Sequence, residues 1–251
     1  MTVLCYHAVQ PGWEAPMSME PDMFASHMGW LARHRRVVPL ETAVGSLDRH
    51  GRLPGRAVAL TFDDGFRSVH QHALEVLTRH GLPVTVFLVA ATLGEGGHDV
   101  DWVDRPPDSP LETLTVDEIH EMQSLGVSFQ SHSLAHRDLT QLSYDECVRD
   151  LTSSRELLES VLDSHVRLLA YPRGRHTAAV RAAAEAAGYT HAFTLPEGRE
   201  PFGPYALPRV GIYHDNSVSR LRMKSNRSYV PLRTSPMATR LGRALAGARH
   251  G

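Results

Sequence analysis

Residues 56–66 have the sequence Arg-Ala-Val-Ala-Leu-Thr-Phe-Asp-Asp-Gly-Phe, and this segment gives the first indication of how the chain folds. A short apolar run ends in two adjacent carboxylates, Asp63 and Asp64, and a glycine and a helical pattern over residues 68–79 follow at once. Strand, acidic pair, turn and helix is how α/β enzymes place charge at the edge of a sheet. Asp and Gly also favour turns, so this segment alone is equally consistent with a plain turn.

Short apolar runs alternate with amphipathic stretches along most of the chain. We predict strands at residues 3–7, 37–40, 57–62, 84–90, 127–130, 167–171, 191–194 and 206–212, with helices between most of them. Repeated strand–helix units indicate a parallel sheet with right-handed crossovers. About seven or eight such units predict a closed or nearly closed α/β barrel in a single domain.

The composition is that of an ordinary globular protein. The chain has 251 residues, 42% of them hydrophobic and 22% charged, and its net charge of −2 says nothing about partners by itself. We expect no nucleic-acid partner. Sixteen histidines are many for this length and favour a metal or acid–base site. Cys5 and Cys147 lie in separate segments and are expected to be reduced, buried thiols.

The N-terminal sequence does not have the pattern of an export signal. Met1-Thr2 leads directly into the first predicted strand, without a basic segment or a long apolar run. No stretch reaches the roughly 18 apolar residues of a membrane span. We therefore expect a cytoplasmic protein.

The C-terminal segment is basic. After Asp215 the sequence has eight Lys or Arg residues and no Asp or Glu. We assign residues 1–230 to the barrel and residues 231–251 to a basic tail. Such a tail suits weak contact with an anionic surface, and a solvated terminus is the alternative.

A pair of histidines follows another predicted strand. His132 and His136 are four residues apart, and on one helical turn this spacing puts both imidazoles within reach of one ion. The carboxyl ends of parallel barrel strands meet at one face, so the pair is expected beside Asp63 and Asp64. Two imidazoles and one carboxylate leave a zinc ion an open position for water, which is the catalytic arrangement. The second Asp is then available as a base.

Residues 61–65, Thr-Phe-Asp-Asp-Gly, followed by residues 132–136, His-Ser-Leu-Ala-His, resemble the first two motifs of the polysaccharide deacetylase family, the NodB-homology domain of carbohydrate esterase family four. Further segments resemble its opening strand, its third motif and its closing segments: residues 4–7, 169–174, 188–194 and 207–210. The resemblance covers residues 2 to 225, nearly everything but the tail.

This resemblance implies a distorted (β/α) barrel of about seven parallel strands rather than eight. It also implies hydrolysis of an N-acetyl or other acyl group on a sugar. Asp64, His132 and His136 would bind a divalent metal, usually Zn²⁺ and sometimes Co²⁺ or Ni²⁺, and Asp63 would be the general base. The backbone N–H of Tyr171 would help to hold the tetrahedral oxyanion.

A family histidine protonates the leaving amine, and we expect His214 in this role, with His7 as the second choice. The third motif departs from the family pattern, because it lacks the upstream arginine that orients the base and has Arg173 after the proline. An anionic substrate group would suit Arg173. The residues expected to contact the substrate are His7, Trp102, Pro172, Arg173 and Arg209, and Asp104 is expected to line the same cleft.

A cytoplasmic location favours a small or carrier-linked substrate, such as an N-acylated amino sugar in a glycan precursor. A phosphate-bearing carrier would suit Arg173 and the basic tail. The alternatives are a deacetylase of a polymer such as an exopolysaccharide or chitin, another amide hydrolase on this fold, and a non-catalytic carbohydrate-binding protein.

Overall fold

The computed structural model describes residues 1–51, 53–93, 100–108, 111–196 and 198–235. Its strands are β1 (Thr2–Tyr6), β2 (Ala8–Val9), β3 (Ser18–Met19), β4 (Arg36–Val37), β5 (Ala57–Phe62), β6 (Val84–Leu88), β7 (Ser128–Ser131), β8 (Leu168–Ala170), β9 (His191–Thr194) and β10 (Leu207–Gly211). Its α-helices are α1 (Pro21–His34), α2 (Leu40–His50), α3 (Leu74–Arg79), α4 (Val116–Ser124), α5 (Tyr144–Leu162), α6 (Ala178–Ala186), α7 (Val218–Lys224) and α8 (Tyr229–Arg233). A π-helical turn, Val69–Ala73, precedes α3.

Seven of these strands form a closed parallel barrel in the order β1, β10, β9, β8, β7, β6, β5. Pairing of β1 with β5, from Thr2 opposite Val58 to Tyr6 opposite Phe62, closes the ring. The predicted single-domain barrel of about seven parallel strands is therefore confirmed.

The strand predicted at residues 37–40 was wrong in extent. Only Arg36–Val37 pairs, on the outer side of β5, so β4 adds to the sheet without joining the closed ring. Pro39 is the N-cap of helix α2, which begins at Leu40. A proline has no N–H to donate to a sheet ladder, which explains why the strand stops before it.

The core has two layers because side chains alternate along each barrel strand. One apolar cluster gathers Val3, Ala59, Phe87 and Phe193 from four barrel strands, with Leu40 of α2. The neighbouring strand positions, such as Leu4, Leu60 and Val86, belong to the larger cluster formed with the helices. The strands are buried on both faces, as their apolar runs predicted.

Helices α4 and α5 begin with capping boxes. Thr115 and Glu118 form one, and Ser143 and Glu146 form the other, so in each helix the N–H groups of the N-cap and N3 residues have hydrogen-bond acceptors. Both helices lie directly before or after β7, the strand that leads into the two histidines.

The predicted division at residue 230 falls within helix α8. Just beyond it, Arg233 Nη1 donates a hydrogen bond to the Pro196 carbonyl at 3.1 Å, which ties this helix to the barrel. Residues 236–251 of the predicted tail lie outside the described residues. Among the helices that the structure describes, none is long and apolar enough to cross a membrane.

Candidate active site

A cavity of about 430 Å³ opens at the carboxyl ends of the barrel strands. Eight of the residues singled out from the sequence line it: His7, Asp63, Asp64, Trp102, Asp104, His132, His136 and Arg173. They come from segments that follow β1, β5, β7 and β8 and from the connection before α4. Four other residues predicted for the site do not line the cavity: Tyr171, Pro172, Arg209 and His214.

Three of the lining side chains form a compact ligand set. Asp64 Oδ1 lies 3.6 Å from His132 Nε2 and 3.4 Å from His136 Nε2, and all three residues are buried. Ligand atoms of a tetrahedral zinc ion with bonds of about 2.0–2.1 Å lie about 3.3 Å apart, so this set fits a divalent ion and leaves a position open. His132 Nδ1 lies 2.8 Å from the Ala170 carbonyl, a contact that directs Nε2 into the set.

The electrostatics of this set also suit a cation. Burial, followed by the proximity of His132 and Arg173, lowers the pKa of His136 to about 2. Burial also lowers the pKa of His132, so both imidazoles are neutral and have a free lone pair. Burial and the charge of Asp63 raise the pKa of the Asp64 carboxyl well above its usual range. A bound cation would offset each of these costs.

The two histidines meet in a loop and not on a helical turn. Ser133 has φ 71° and His136 has φ 52°, both in the left-handed region, and this reversal brings the imidazoles together. Ser133 Oγ accepts a hydrogen bond from the His136 N–H at 3.1 Å. The helical turn assumed from the spacing was therefore wrong, although the residues it paired do converge.

The backbone turn after β5 separates the two carboxylates. Asp64 has φ 69° and Gly65 has φ 67°. The left-handed conformation at position 65 favours glycine, and a Cβ added there would also lie 2.6 Å from Leu88 Cδ2, so the Leu88 side chain would have to move. As a result Asp64 faces the histidines, and Asp63 faces strand β10.

Asp63 forms a buried ion pair with Arg209. Arg209 Nη1 donates to Asp63 Oδ1 at 2.6 Å, and Nη2 donates to Oδ2 at 2.7 Å. Burial by itself would raise the pKa of Asp63, but the charge of Arg209 and the hydrogen bonds that it donates hold this pKa well below its usual range. Cys5 Sγ adds a third contact, 3.3 Å from Oδ2. Asp63 is therefore ionised and firmly oriented.

The predicted substrate contact for Arg209 was wrong, because its side chain is fully buried behind Asp63. Arg209 instead supplies a guanidinium beside Asp63, whereas the third motif of this sequence lacks an arginine upstream. The available sequence signal was an arginine inside an otherwise apolar strand, since a buried guanidinium needs an anionic partner.

The structure places His7, not His214, next to Asp63. His7 lines the cavity, and one of its ring nitrogens lies within 4.8 Å of Asp63 and Cys5 ligand atoms. Burial lowers the pKa of His7 to about 4, against the opposing charge of Asp63. His214 does not line the cavity, and its backbone N–H donates to the Pro16 carbonyl at 3.0 Å. The first choice for the acid was therefore misplaced, and the neighbouring Tyr213 lines the cavity instead.

The predicted oxyanion donor is already engaged. The Tyr171 N–H donates to the Phe193 carbonyl at 3.1 Å, and the Tyr171 hydroxyl donates to the Tyr205 carbonyl at 3.1 Å. Pro172 is buried in the short turn that follows, so neither residue contacts the cavity. Arg173, with φ 56°, is the residue of this turn that does.

Trp102 closes one side of the ligand set. Its Nε1–H donates to Asp64 Oδ1 at 3.1 Å, and its ring stacks on His136 with centroids 4.9 Å apart. Arg173 Nη2 donates to the Trp102 carbonyl at 3.2 Å. Trp102 was predicted as a substrate contact, and it also supports two of the three candidate metal ligands.

Known proteins with similar sequences are polysaccharide deacetylases. The chain is 26% identical over 216 residues to the polysaccharide deacetylase YxkH of Bacillus subtilis (strain 168), an alignment that covers 84% of this chain and 71% of the relative. It is 24% identical over 213 residues to the poly-β-1,6-N-acetyl-D-glucosamine N-deacetylase of Staphylococcus aureus (strain MSSA476), covering 79% of this chain and 69% of that protein.

Solved structures of deacetylases share the fold. The deacetylase PplD of Streptococcus pyogenes, in complex with acetate, superposes with a TM-score of 0.77 at 24% identity, over 90% of this chain and 98% of that chain. IcaB of Ammonifex degensii gives a TM-score of 0.72 at 24% identity, over 89% and 96% of the two chains. The family model described as polysaccharide deacetylase matches residues 50–192, which is more than half of the sequence. This chain therefore belongs to the polysaccharide deacetylase family.

Proposed function

We propose that this protein is a metal-dependent hydrolase that removes the N-acetyl group from an amino sugar of a glycan. One observation carries the proposal. An ionised carboxylate, Asp63, lies next to a separate ligand set of Asp64, His132 and His136 at the same cavity. Asp63 Oδ2 is 3.9 Å from His132 Nε2, so a base and a divalent ion would act on the same small volume.

A divalent ion held by this ligand set, with zinc the first candidate and cobalt or nickel the others, would polarise the acyl carbonyl and acidify a water molecule. Asp63 accepts the proton of the attacking water. Arg209 keeps the Asp63 carboxylate ionised and oriented for that transfer. Among the described residues, the backbone N–H of Arg173 has no hydrogen-bond acceptor, and we assign it to the developing oxyanion in place of Tyr171.

His7 is the proposed general acid. It lies on the Asp63 side of the cavity, and its Nδ1 is buried with no hydrogen-bond partner among the described residues. Burial lowers the pKa of His7 to about 4, so its resting imidazole is neutral; it takes up the proton that Asp63 has accepted from the water and passes it to the departing amine. With Asp63 as base and His7 as acid, both proton transfers occur beside the acyl carbon.

The substrate class follows from the relatives and from the cavity. The Staphylococcus aureus relative is named for a polymer of β-1,6-linked N-acetylglucosamine, and we take an N-acetylglucosamine polymer as the first candidate. A second candidate is a phosphate-bearing, carrier-linked amino sugar in the cytoplasm. Arg105 and Arg173 in the cavity lining favour it, because guanidinium groups bind phosphate.

Acetate release tests the proposal. Purified protein is stripped with a chelator, reloaded with Zn²⁺, Co²⁺ or Ni²⁺, and assayed on short β-1,6-linked N-acetylglucosamine oligomers and on a nucleotide-linked N-acetylamino sugar. We expect turnover that disappears with the chelator and returns with the metal. Metal-loaded protein that binds these sugars without releasing acetate would support the non-catalytic alternative. Chelator-resistant turnover would contradict the metal role.

A further inference from the structure

A buried carboxylate on helix α5 accepts hydrogen bonds from two residues of the loop that contains His136. Asp150 Oδ1 accepts the backbone N–H of Leu134 at 3.0 Å, and Asp150 Oδ2 accepts Arg137 Nη2 at 3.2 Å. The Asp150 side chain has no exposed surface, whereas that of Arg137 is 54% exposed. Leu134 and Arg137 lie on either side of His136 in sequence, so one carboxylate holds the loop at two points around this candidate ligand.

This loop needs external support. Ser133 and His136 both have left-handed backbone conformations, which disfavour residues with a Cβ and persist only where the surroundings determine them. Within the loop, the hydrogen bond from the His136 N–H to Ser133 Oγ provides local support. Support from outside the loop comes from the Trp102 ring stacked on His136, from the Ala91 N–H, which donates to the Leu134 carbonyl at 2.8 Å, and from the Asp150 carboxylate.

The same helix also holds the start of the loop. Ser154 Oγ lies 2.9 Å from Ser131 Oγ, and Ser131 Oγ accepts the Ser133 N–H at 3.2 Å. Tyr189 donates to Ser131 Oγ at 2.8 Å. Helix α5 therefore fixes the loop at both ends, through hydroxyl groups before His132 and through the Asp150 carboxylate around His136.

We infer, on the basis of the proposed function, that Asp150 is a positioning residue for the metal site. It holds the His136 imidazole near Asp64 and His132 before an ion binds. A buried carboxylate is costly, and an apolar side chain would pack this helix at lower cost, so packing alone does not explain the residue. Without Asp150 the ion itself must order the loop, and its affinity falls.

The test compares Asp150→Asn, Asp150→Ala and the control Asp145→Asn, an exposed acidic residue in the first turn of the same helix. Asn keeps an acceptor for the Leu134 N–H but loses the charge that pairs with Arg137, and Ala loses both. Affinities for Zn²⁺ and Co²⁺ are measured by chelator competition. The melting temperature of each metal-free protein and the absorption spectrum of bound Co²⁺ are recorded in parallel.

We expect affinity to fall by about 10-fold in Asp150→Asn and by about 100-fold in Asp150→Ala, with Asp145→Asn unchanged. At saturating Co²⁺ the spectrum and the turnover return to those of the wild type, because the ligands themselves are intact. A purely structural role predicts a lower melting temperature without this change in affinity.

Wild-type affinity in folded Asp150 variants would overturn the inference. If both variants fail to fold, Arg137→Gln replaces them, since it removes only the half-exposed partner, and unchanged affinity there overturns the inference as well. Failure of the proposed function looks different: the wild type would bind no ion, or Asp64→Asn would bind it as tightly as the wild type.

Discussion

Arg209, on β10, donates two parallel hydrogen bonds of 2.6 and 2.7 Å to Asp63, which directly follows β5, although the two residues are 146 positions apart in the sequence. Both side chains are buried, so each charge depends on the other for compensation. The pair separates the roles of two adjacent aspartates, because Asp63 is bound to a cation of the protein while Asp64 faces the histidines.

Removal of the guanidinium tests the pair. Arg209→Met leaves the Asp63 carboxylate buried without its partner, and we expect the free energy of unfolding to fall by about 3–5 kcal/mol. Turnover of the fraction that remains folded is expected to fall at least about 100-fold, because the base is no longer oriented. Chemical denaturation and acetate-release kinetics measure the two effects.

The control for this variant is Arg175→Met. Arg175 pairs with Asp138 at 2.9 Å on the surface, and such exposed pairs contribute at most about 1 kcal/mol. If Arg209→Met retained wild-type turnover, the positioning role of the guanidinium would be wrong.

Substitutions of the two aspartates should differ in the amount of metal that the protein retains. Asp63→Asn is expected to bind metal as the wild type does and to lose turnover, because an amide cannot accept the proton of the water. Asp64→Asn is expected to lose both, because the ligand set then lacks its only carboxylate. Metal analysis beside acetate release distinguishes the variants, with Asp145→Asn, an exposed residue outside the cavity, as the control. Metal loss in Asp63→Asn would show that both carboxylates bind the ion.

Turnover of two kinds of substrate should distinguish the two histidine candidates for the general acid. His7→Gln is expected to lower turnover of an N-acetyl sugar by about 10²–10⁴-fold, and His214→Gln to leave it nearly unchanged. An activated aryl acetate needs no proton on its leaving group, so its hydrolysis should survive in His7→Gln. Equal losses on both substrates would mean that His7 has a role other than proton donation.

The hydrogen bond from Trp102 should contribute to metal affinity. Trp102→Phe keeps an aromatic ring over His136 but removes the donor to Asp64 Oδ1, and we expect about 10-fold weaker metal binding. Trp30→Phe, on helix α1 outside the cavity, is the control. Chelator competition measures both variants. An affinity equal to that of the wild type would limit Trp102 to shaping the cavity.

The sequence contains one lysine, and it is buried. Lys224 Nζ donates to the Gly211 carbonyl at 2.7 Å and to Asn216 Oδ1 at 2.6 Å, and burial lowers its pKa to about 8. Because there is a single lysine, its titration can be followed without overlap by NMR of ¹⁵N-lysine. A titration near 10.4, the ordinary lysine pKa, would contradict the prediction.

The lowered pKa of Lys224 determines the direction in which stability changes with pH. Between about pH 8 and pH 10.5 the unfolded chain binds more protons at this site than the folded one, so stability from this group rises with pH. Below pH 8 the amine is charged in both states, and the cost of burying the charge is fully present. Relative to Lys224→Met, the wild type should gain at most about 1.4 kcal/mol per pH unit across that window. Urea denaturation at several pH values measures the difference.

The sequence by itself determined the barrel and the four central residues of its site. Apolar runs of strand length predict buried parallel strands, and parallel strands bring their carboxyl ends to one face. Asp63, Asp64 and His132 follow such runs directly, and His136 lies four residues further on, so barrel closure brings their segments to one face, whereas the loop after β7 turns His136 towards His132.

Only the tertiary structure decided which further groups lie next to those residues. His7 and Arg209 lie outside residues 50–192, the region matched by the family model, and they reach Asp63 because β1 pairs with both β5 and β10. The Tyr171 N–H, which was expected at the oxyanion, instead donates a hydrogen bond to the neighbouring barrel strand at Phe193. Pairing and register between distant strands leave no local pattern in the sequence, because side-chain alternation shows which face a residue takes but not which strand it meets.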